Sequence, residues 1–107
     1  DNYDEAIKSL LKAAELCHDR PALYYHIGLS YYNIGVDLRE SALSITENDE
    51  YRKIREQYLD IFREAVKWLT QSYELDPHNE EIISMLNQLY NQLQMKVEQE
   101  SLQHSIN

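Results

Sequence analysis

The chain has 107 residues, 43% of them hydrophobic, with only two Gly, two Pro and one Cys. This length and the scarcity of turn residues predict one all-α domain over residues 1–107, since a many-stranded sheet would need more Gly and Pro between its strands. The formal net charge of −9 opposes binding to nucleic acid, and no apolar run reaches the roughly 20 residues of a membrane span, so we expect neither a nucleic-acid partner nor membrane insertion.

The first predicted helix begins at Asn2, which can cap it while Glu5, three residues later, completes a capping-box-like arrangement. The helix ends near Cys17 and His18, because Pro21 cannot continue a helix but suits the first turn of the next one. Cys17 is the only cysteine and cannot form an internal disulfide. The predicted apolar face of this helix consists of Ala6, Ile7, Leu10, Ala13, Ala14 and Leu16.

Two long helices follow, from Pro21 to about Ile45 and from Asn48, the predicted N-cap, to about Leu75. Apolar or small residues recur at steps of three and four, which place each set on one helical stripe. The short polar link predicts an antiparallel hairpin with the two stripes facing. Gly35 lies inside the first long helix and is interpreted as a tolerated Gly or a mild bend. The stripes comprise positions 24, 27, 31, 34, 38, 42 and 45, and positions 51, 54, 58, 61, 65, 69 and 72.

A fourth helix is predicted after a turn at residues 76–79, with Asn79 as its N-cap and Glu80 and Glu81 in its first turn. Its apolar pattern thins after Val97, so the segment beyond is predicted to fray. The stripe of this helix is formed by Ile83, Leu86, Tyr90, Leu93 and Val97. Five tyrosines on the stripes are interpreted as core residues, namely Tyr24, Tyr31, Tyr58, Tyr73 and Tyr90.

The chain also repeats itself at a shift of 59 residues. Small residues at Gly28 and Ala65 predict that neighbouring helices approach closely there. In the second copy Asn87 stands where Gly28 does in the first, so the sequence does not decide whether the helices approach closely at that position. The aligned pairs are Ala6 with Ala65, Leu10 with Leu69, Tyr24 with Ile83, Ile27 with Leu86, and Tyr31 with Tyr90.

These residues resemble the tetratricopeptide repeat family, whose helix-turn-helix units have 34 residues. From Gly28 to Ala65 there are 37 residues where the family has about twelve, which resembles bacterial members with one elongated helix pair. The resemblance implies a right-handed α-solenoid fragment of about four helices, two of them elongated. The motif residues are Pro21, Tyr24, Ile27, Gly28 and Tyr31 in one helix, and Ala65, Leu69, Ser72, Asp76 and Pro77 in the next helix and turn.

The chain opens on what resembles the second helix of a unit, so it resembles the C-terminal part of a longer repeat protein. Half a unit cannot bury both of its faces, and we therefore expect either a preceding helix in the parent protein or a homodimer contact. The bacterial relatives that it resembles favour the periplasm or the cell envelope, with the cytoplasm as the alternative.

The resemblance implies a protein-protein interaction scaffold that binds a partner's peptide or helix in a concave groove. Family members that hold a C-terminal carboxylate use Lys, Arg and Asn there, whereas this chain has Glu81 and Ser84. The alternative is a structural cap or homo-oligomerisation unit, in which Tyr25, Leu29 and Tyr32 pack on an upstream helix. The implied groove residues are Tyr25, His26, Leu29, Tyr32, Asn33, Ser84, Gln88 and Asn91.

Trp68 is a further candidate, which either covers the end of the core or anchors a partner, since Trp is enriched at interaction hot spots. The sequence does not predict an enzyme. No two of the four histidines, His18, His26, His78 and His104, have the spacing of a helical metal pair, and no Gly-rich phosphate loop occurs. We therefore expect no metal, no cofactor and no catalytic residue.

Overall fold

The computed structural model describes residues 2–106, and these fold into five helices without a strand. This confirms the all-α prediction, and the second and third helices, 22 and 28 residues long, confirm the elongated pair. The side chains of the predicted cap Asn2, of Val97 and of His104 lie outside the described residues. The helices are α1 (Asn2–Leu16), α2 (Pro21–Ala42), α3 (Asn48–Leu75), α4 (Glu80–Leu93) and α5 (Lys96–Ile106).

Each helix packs against the next one in the chain, and the α2–α3 contact is the most extensive. The stack measures 44 × 34 × 15 Å, and its radius of gyration is 14.8 Å, against about 13 Å for a compact chain of this length. The flat, extended shape follows from α2 and α3, because helices of this length exceed the width of a small globule.

The caps of α3 and α4 are both carried by side chains. The prediction of Asn48 as the cap of α3 is wrong, because the carboxylate of Glu47 accepts hydrogen bonds from the backbone N–H groups of Asp49 at 3.2 Å and Glu50 at 2.7 Å. Asn79 caps α4 as predicted, since its side-chain oxygen accepts from the second and third residues of that helix. Both helices therefore begin where polar side chains satisfy their free N–H groups.

The helix α2 ends at Ala42, three residues before the predicted end at Ile45. The hydroxyl of Ser41 donates to the carbonyl of Leu38 at 2.7 Å, and that of Ser44 donates to the carbonyl of Ser41 at 3.1 Å. Such local side-chain bonds compete with the helical pattern, which explains the early end.

The predicted fourth helix is in fact two helices. Gln94 has a left-handed conformation, with φ 56° and ψ 40°, and ends α4. The next N–H group, that of Met95, donates to the carbonyl of Tyr90 at 2.8 Å, which is the bonding pattern of a Schellman cap. The segment predicted to fray instead forms α5, which packs on α4 and buries Leu102 to 5% exposure.

Two glycines allow α2 and α3 to pack closely. A Cβ atom on Gly28 would lie 2.6 Å from Cγ of Leu69 and 3.2 Å from the carbonyl oxygen of Ala65. A Cβ atom on Gly35 would lie 2.5 Å from the ring of Phe62. The close approach predicted at Gly28 is confirmed, and Gly35 is a second contact site at which α2 makes room for an aromatic ring.

The larger core cluster lies around Phe62, Leu69, Leu86 and Leu89 on α3 and α4, all of them buried. The predicted stripe on α3 contained position 61 in place of Phe62, and that on α4 contained Ile83 in place of Ile82. In both cases the true core residue is the immediate neighbour: Phe62 and Ile82 are buried, whereas residues 61 and 83 are only half-buried.

A smaller cluster joins α1 to α2, with Ala14, Tyr24 and Ile27 as its buried members. The predicted apolar face of α1 is only partly correct, since Ala6 is exposed and Leu16 is 84% exposed. Of the predicted core tyrosines, Tyr24, Tyr58 and Tyr90 are buried, whereas Tyr31 and Tyr73 are half-buried.

Candidate functional site

The candidate groove lies where α2 faces α4, near the start of both helices. Ser72, buried on α3, donates its hydroxyl to the backbone carbonyl of Pro21 at 2.7 Å, which fixes the start of α2 against α3. The cap at Asn79 sets the start of α4. These two anchors place the first turns of α2 and α4 on either side of a common cleft.

Two adjoining cavities form this cleft. The first has a volume of about 310 Å³ and the second about 220 Å³. Both are lined by Tyr25 of α2 and by Glu81 of α4, so these residues stand at the junction of the two spaces. The other lining residues of the first cavity are Glu80, Ser84, Met85 and Gln88, and those of the second are Pro21, Ala22, His26, Asp76, Asn79 and Ile82.

Further along the groove, the hydroxyl of Tyr32 donates a hydrogen bond of 3.2 Å to Oε1 of Gln88, which links α2 to α4. The ring of Tyr25 meets that of His26 edge-on, with the ring centroids 5.6 Å apart. The structure therefore brings together five of the eight groove residues expected from the sequence, which are Tyr25, His26, Tyr32, Ser84 and Gln88.

The other three groove candidates stand apart from these contacts. Leu29 and Asn33 are half-buried on α2, and Asn91 is exposed on α4. None of them lines either cavity. Their place in a binding surface stays a prediction.

The lining of the cleft carries negative charge. Asp76, Glu80 and Glu81 contribute carboxylates, and neither cavity is lined by Lys or Arg. Partial burial raises the pKa of the Tyr25 phenol above its usual value of 10.0, and the negative charge of Glu81 raises it further. Tyr25 and Glu81 therefore lie close enough for the carboxylate to influence the phenol within the cleft.

The sequence analysis placed Glu81 in the groove as a replacement for a basic residue, but assigned Glu80 only to the start of α4 and did not connect Asp76 or Met85 with the groove. The position of Glu81 follows from its spacing, because Glu81, Ser84 and Gln88 follow one another at steps of three and four and must share a helical face. No comparable signal exists for Asp76, since its position depends on the turn that joins α3 to α4.

Trp68 lies on the other side of the stack, where α1, α2 and α3 meet. Its ring stacks on Tyr24 with the centroids 6.0 Å apart, and its indole N–H donates to Oε1 of Glu64 at 3.2 Å. The ammonium of Lys67 lies 5.2 Å from the centre of the ring. These contacts favour the interpretation of Trp68 as a cover over the smaller core cluster, and an anchoring role for a partner stays a hypothesis.

A further cavity, of about 430 Å³, separates α3 from α5, and Leu86 and Tyr90 of α4 form its floor. Burial raises the pKa of the Tyr90 phenol, and a hydrogen bond with Thr70 opposes this shift. The sequence did not indicate this cavity, because one of its walls is α5, which was not predicted.

Among the side chains that the structure describes, no group of three His, Cys, Asp or Glu residues is arranged to hold a metal ion. Cys17 is half-buried, and His18 and His78 are exposed in the turns where the sequence placed them. Within the same described part of the chain, no helix combines the length and apolar character that a membrane crossing requires.

Residues 1–35 match the family model described as TPR repeat. The matched residues include α1 and the part of α2 that carries Tyr25, His26 and Tyr32. No curated protein and no solved structure matches the chain significantly. The match supports the family assignment that the sequence motifs suggested, whereas α3, α4 and α5 lie outside the matched residues.

Proposed function

We propose that the chain, whose residues 1–35 match the family model described as TPR repeat, is a non-enzymatic interaction scaffold that binds a partner peptide or helix in the groove between α2 and α4. The repeat itself suggests a role in binding other proteins. The groove is proposed from one observation above all: two adjoining open cavities share Tyr25 and Glu81, and each cavity has walls from both helices.

The residues of this groove suit an extended ligand. Half-buried Tyr25 and Tyr32 offer rigid apolar surface, and exposed Ser84 and Gln88 offer hydrogen-bonding groups for a peptide backbone. A cleft with separate cavities along its length can receive successive side chains of one peptide. The hydrogen bond between Tyr32 and Gln88 links the two walls before a ligand arrives, and such pre-organisation lowers the entropy lost on binding.

A second candidate function is homo-oligomerisation through α1. Ala6 aligns with Ala65 in the internal repeat, yet Ala65 is fully buried against α2 whereas Ala6 is exposed. Leu16 is 84% exposed on the same helix. This unequal burial supports a packing surface on α1, with a second copy of the chain as its proposed occupant.

We also propose that residues 1–107 form one domain, because each helix contacts the next.

Peptide selection tests the groove directly. A random dodecapeptide library displayed on phage is selected on the wild-type chain, and the enriched peptides are measured by fluorescence polarisation. A Tyr25→Ala, Leu29→Ala, Tyr32→Ala triple variant and a Ser84→Trp variant, which fills the cleft from an exposed position, should both lose binding. A Ser9→Trp variant, exposed on α1 outside the groove, should keep it.

The scaffold proposal fails if no peptide is enriched, or if the enriched peptides bind wild type and Ser84→Trp equally well. Light scattering on the same samples tests the second candidate. A monomer at high protein concentration rejects the α1 dimer, and a dimer that Ala6→Arg converts to a folded monomer supports it.

A further inference from the structure

We propose that the groove between α2 and α4 selects a partner segment with a Lys or Arg side chain, whose cation is held between the ring of Tyr25 and the carboxylate of Glu81. This inference rests on the proposed scaffold function and adds the chemistry of the partner. The occupant is a basic peptide segment, and an acidic or neutral segment is the competing outcome.

Charge complementarity is the first argument. The two cavities contain the carboxylates of Asp76, Glu80 and Glu81 and no side chain of Lys or Arg. The ion pairs found among the described residues, Arg63 with Asp60 and Lys67 with Glu64, both lie on α3 away from the cleft. The carboxylates of the cleft therefore have no neutralising cation of their own in the described part of the chain.

The position of Tyr25 is the second argument. Its half-buried ring forms part of the wall of both cavities, and in both Glu81 is also part of the lining. An aromatic face attracts a cation within about 6 Å of its centre, and a carboxylate beside it supplies an ion pair. Burial is the main cause of the raised pKa of the Tyr25 phenol, and the nearby charge of Glu81 adds to it. A guanidinium or ammonium placed here satisfies both groups at once.

The distribution of charge along the groove is the third argument. The acidic end lies at the first turn of α4, whereas the far end carries the neutral pair Tyr32 and Gln88. A ligand with one basic side chain next to polar or small residues matches this gradient. A segment that is basic along its whole length would gain less, because the neutral end offers no charge to meet it.

The chain as a whole is negative, with 19 acidic and 10 basic residues, so any cationic peptide feels a general attraction. The test must separate this field from a specific site. The first turn of α3 supplies a matched control, because Asp49 and Glu50 form an exposed acidic pair at a helix start outside the groove. A Glu80→Gln, Glu81→Gln variant and an Asp49→Asn, Glu50→Gln variant change the net charge equally.

The probe is a fluorescein-labelled, acetylated octapeptide with one central Arg flanked by Gly and Ser, measured by fluorescence polarisation at physiological salt. The same peptide with citrulline in place of Arg keeps the shape and removes the charge. We expect the wild-type chain to prefer the Arg peptide, and the Glu80→Gln, Glu81→Gln variant to bind it about fivefold or more weakly. The matched Asp49→Asn, Glu50→Gln variant should change its affinity by less than about twofold.

A Tyr25→Leu variant keeps an apolar side chain but removes the aromatic face, and it should reduce the preference for Arg over citrulline. Circular dichroism of each variant confirms that the helices are intact. Equal weakening in both charge variants would overturn the inference, since it would assign the binding to the general field. Equal affinity for the Arg and citrulline peptides would overturn it as well.

The library selection separates the two proposals. If enriched peptides depend on the groove but show no excess of Lys or Arg, the scaffold function stands and the choice of a basic partner is wrong. If no enriched peptide depends on the groove, the scaffold function itself is wrong. The cationic site would then stand only if the Ser84→Trp variant loses binding of the Arg octapeptide.

Discussion

The α2–α3 pair and the α4–α5 pair are successive contacts in the stack, and their first helices, α2 and α4, are equivalent in the internal repeat, yet the two pairs pack differently. In the first pair Gly28 lies against Ala65 and Leu69 without room for a Cβ atom. In the second pair Asn87 stands at the equivalent position, and its Oδ1 atom is buried without a hydrogen-bond partner among the described residues. At this repeat position α2 therefore has a small residue in a close helix contact, whereas α4 has a buried polar atom without a partner.

The surroundings of the two pairs reinforce this difference. Phe62 is fully buried between the helices of the first pair, with its ring centre 5.8 Å from that of Tyr32 and 5.9 Å from that of Tyr58. In α5 the only buried side chain among the described ones is Leu102, and a cavity of about 430 Å³ lies beside it. The first pair therefore provides the rigid wall of the groove, and α4 is supported by α3 more than by α5.

Phe62 carries the largest expected effect. The Phe62→Ala variant removes a fully buried ring from the contact with Gly35, and we expect the free energy of unfolding to fall by about 3–5 kcal/mol. Urea denaturation followed by circular dichroism measures this loss. Leu43→Ala, at a side chain 81% exposed in the link after α2, is the control and should change stability by less than about 0.5 kcal/mol. A loss below about 1 kcal/mol for Phe62→Ala would contradict the central role given to this ring.

Gly28 comes next. In Gly28→Ala the new Cβ atom would meet Cγ of buried Leu69 at 2.6 Å, so α2 and α3 must separate or Leu69 must move. Overpacking of this kind costs about 1–3 kcal/mol, and the better helix propensity of Ala returns up to about 1 kcal/mol. We therefore expect a net destabilisation of about 1–2 kcal/mol in urea denaturation. A stabilised variant would show that the two helices have room to spare.

Substitution of Asn87 should raise stability, whereas substitution of Gly28 lowers it. Asn87→Ala removes the buried oxygen that lacks a partner and adds a residue of higher helix propensity, so we expect stability to rise by about 1 kcal/mol. Asn91→Ala is the matched control, because Asn91 is exposed one turn later on the same helix and gains only the propensity. If both variants rise equally, the buried oxygen carries no penalty, and the contrast between the two helix pairs disappears.

Much of the fold could be predicted from the sequence, because helical periodicity and the spacing of the repeat depend on residues close in the chain. The choice between neighbouring apolar residues could not be made in this way. Between positions 58 and 65 of the stripe, either residue 61 or residue 62 fits the steps of three and four equally well. Only the space beside Gly35 selects Phe62. Positions of this kind depend on the partner helix, which the local pattern does not contain.

The groove was predicted only in part for a related reason. Tyr25, Ser84 and Gln88 were expected there and line the first cavity. Glu80 has an evident role at the start of α4, and that role concealed its place beside the cleft. A carboxylate can stabilise a helix start and face a ligand at the same time, so assignment of the first role gives no information about the second.

The Gln94→Gly substitution tests the α4–α5 pair and has the smallest expected effect on stability. Gln94 ends α4 at φ 56°, a conformation that Gly adopts without the steric penalty of a side chain. Sequence reasoning ran one helix through this position because the usual Gly signal is missing. We expect Gln94→Gly to raise stability by about 0.5–1 kcal/mol, the relief of strain being offset in part by the greater freedom of Gly in the unfolded chain. Gln92→Gly, two residues earlier in α4, should lower stability by about 0.5–1 kcal/mol. Equal destabilisation by both substitutions would mean that α4 continues through Gln94 in solution, and the α4–α5 pair would then be one long helix.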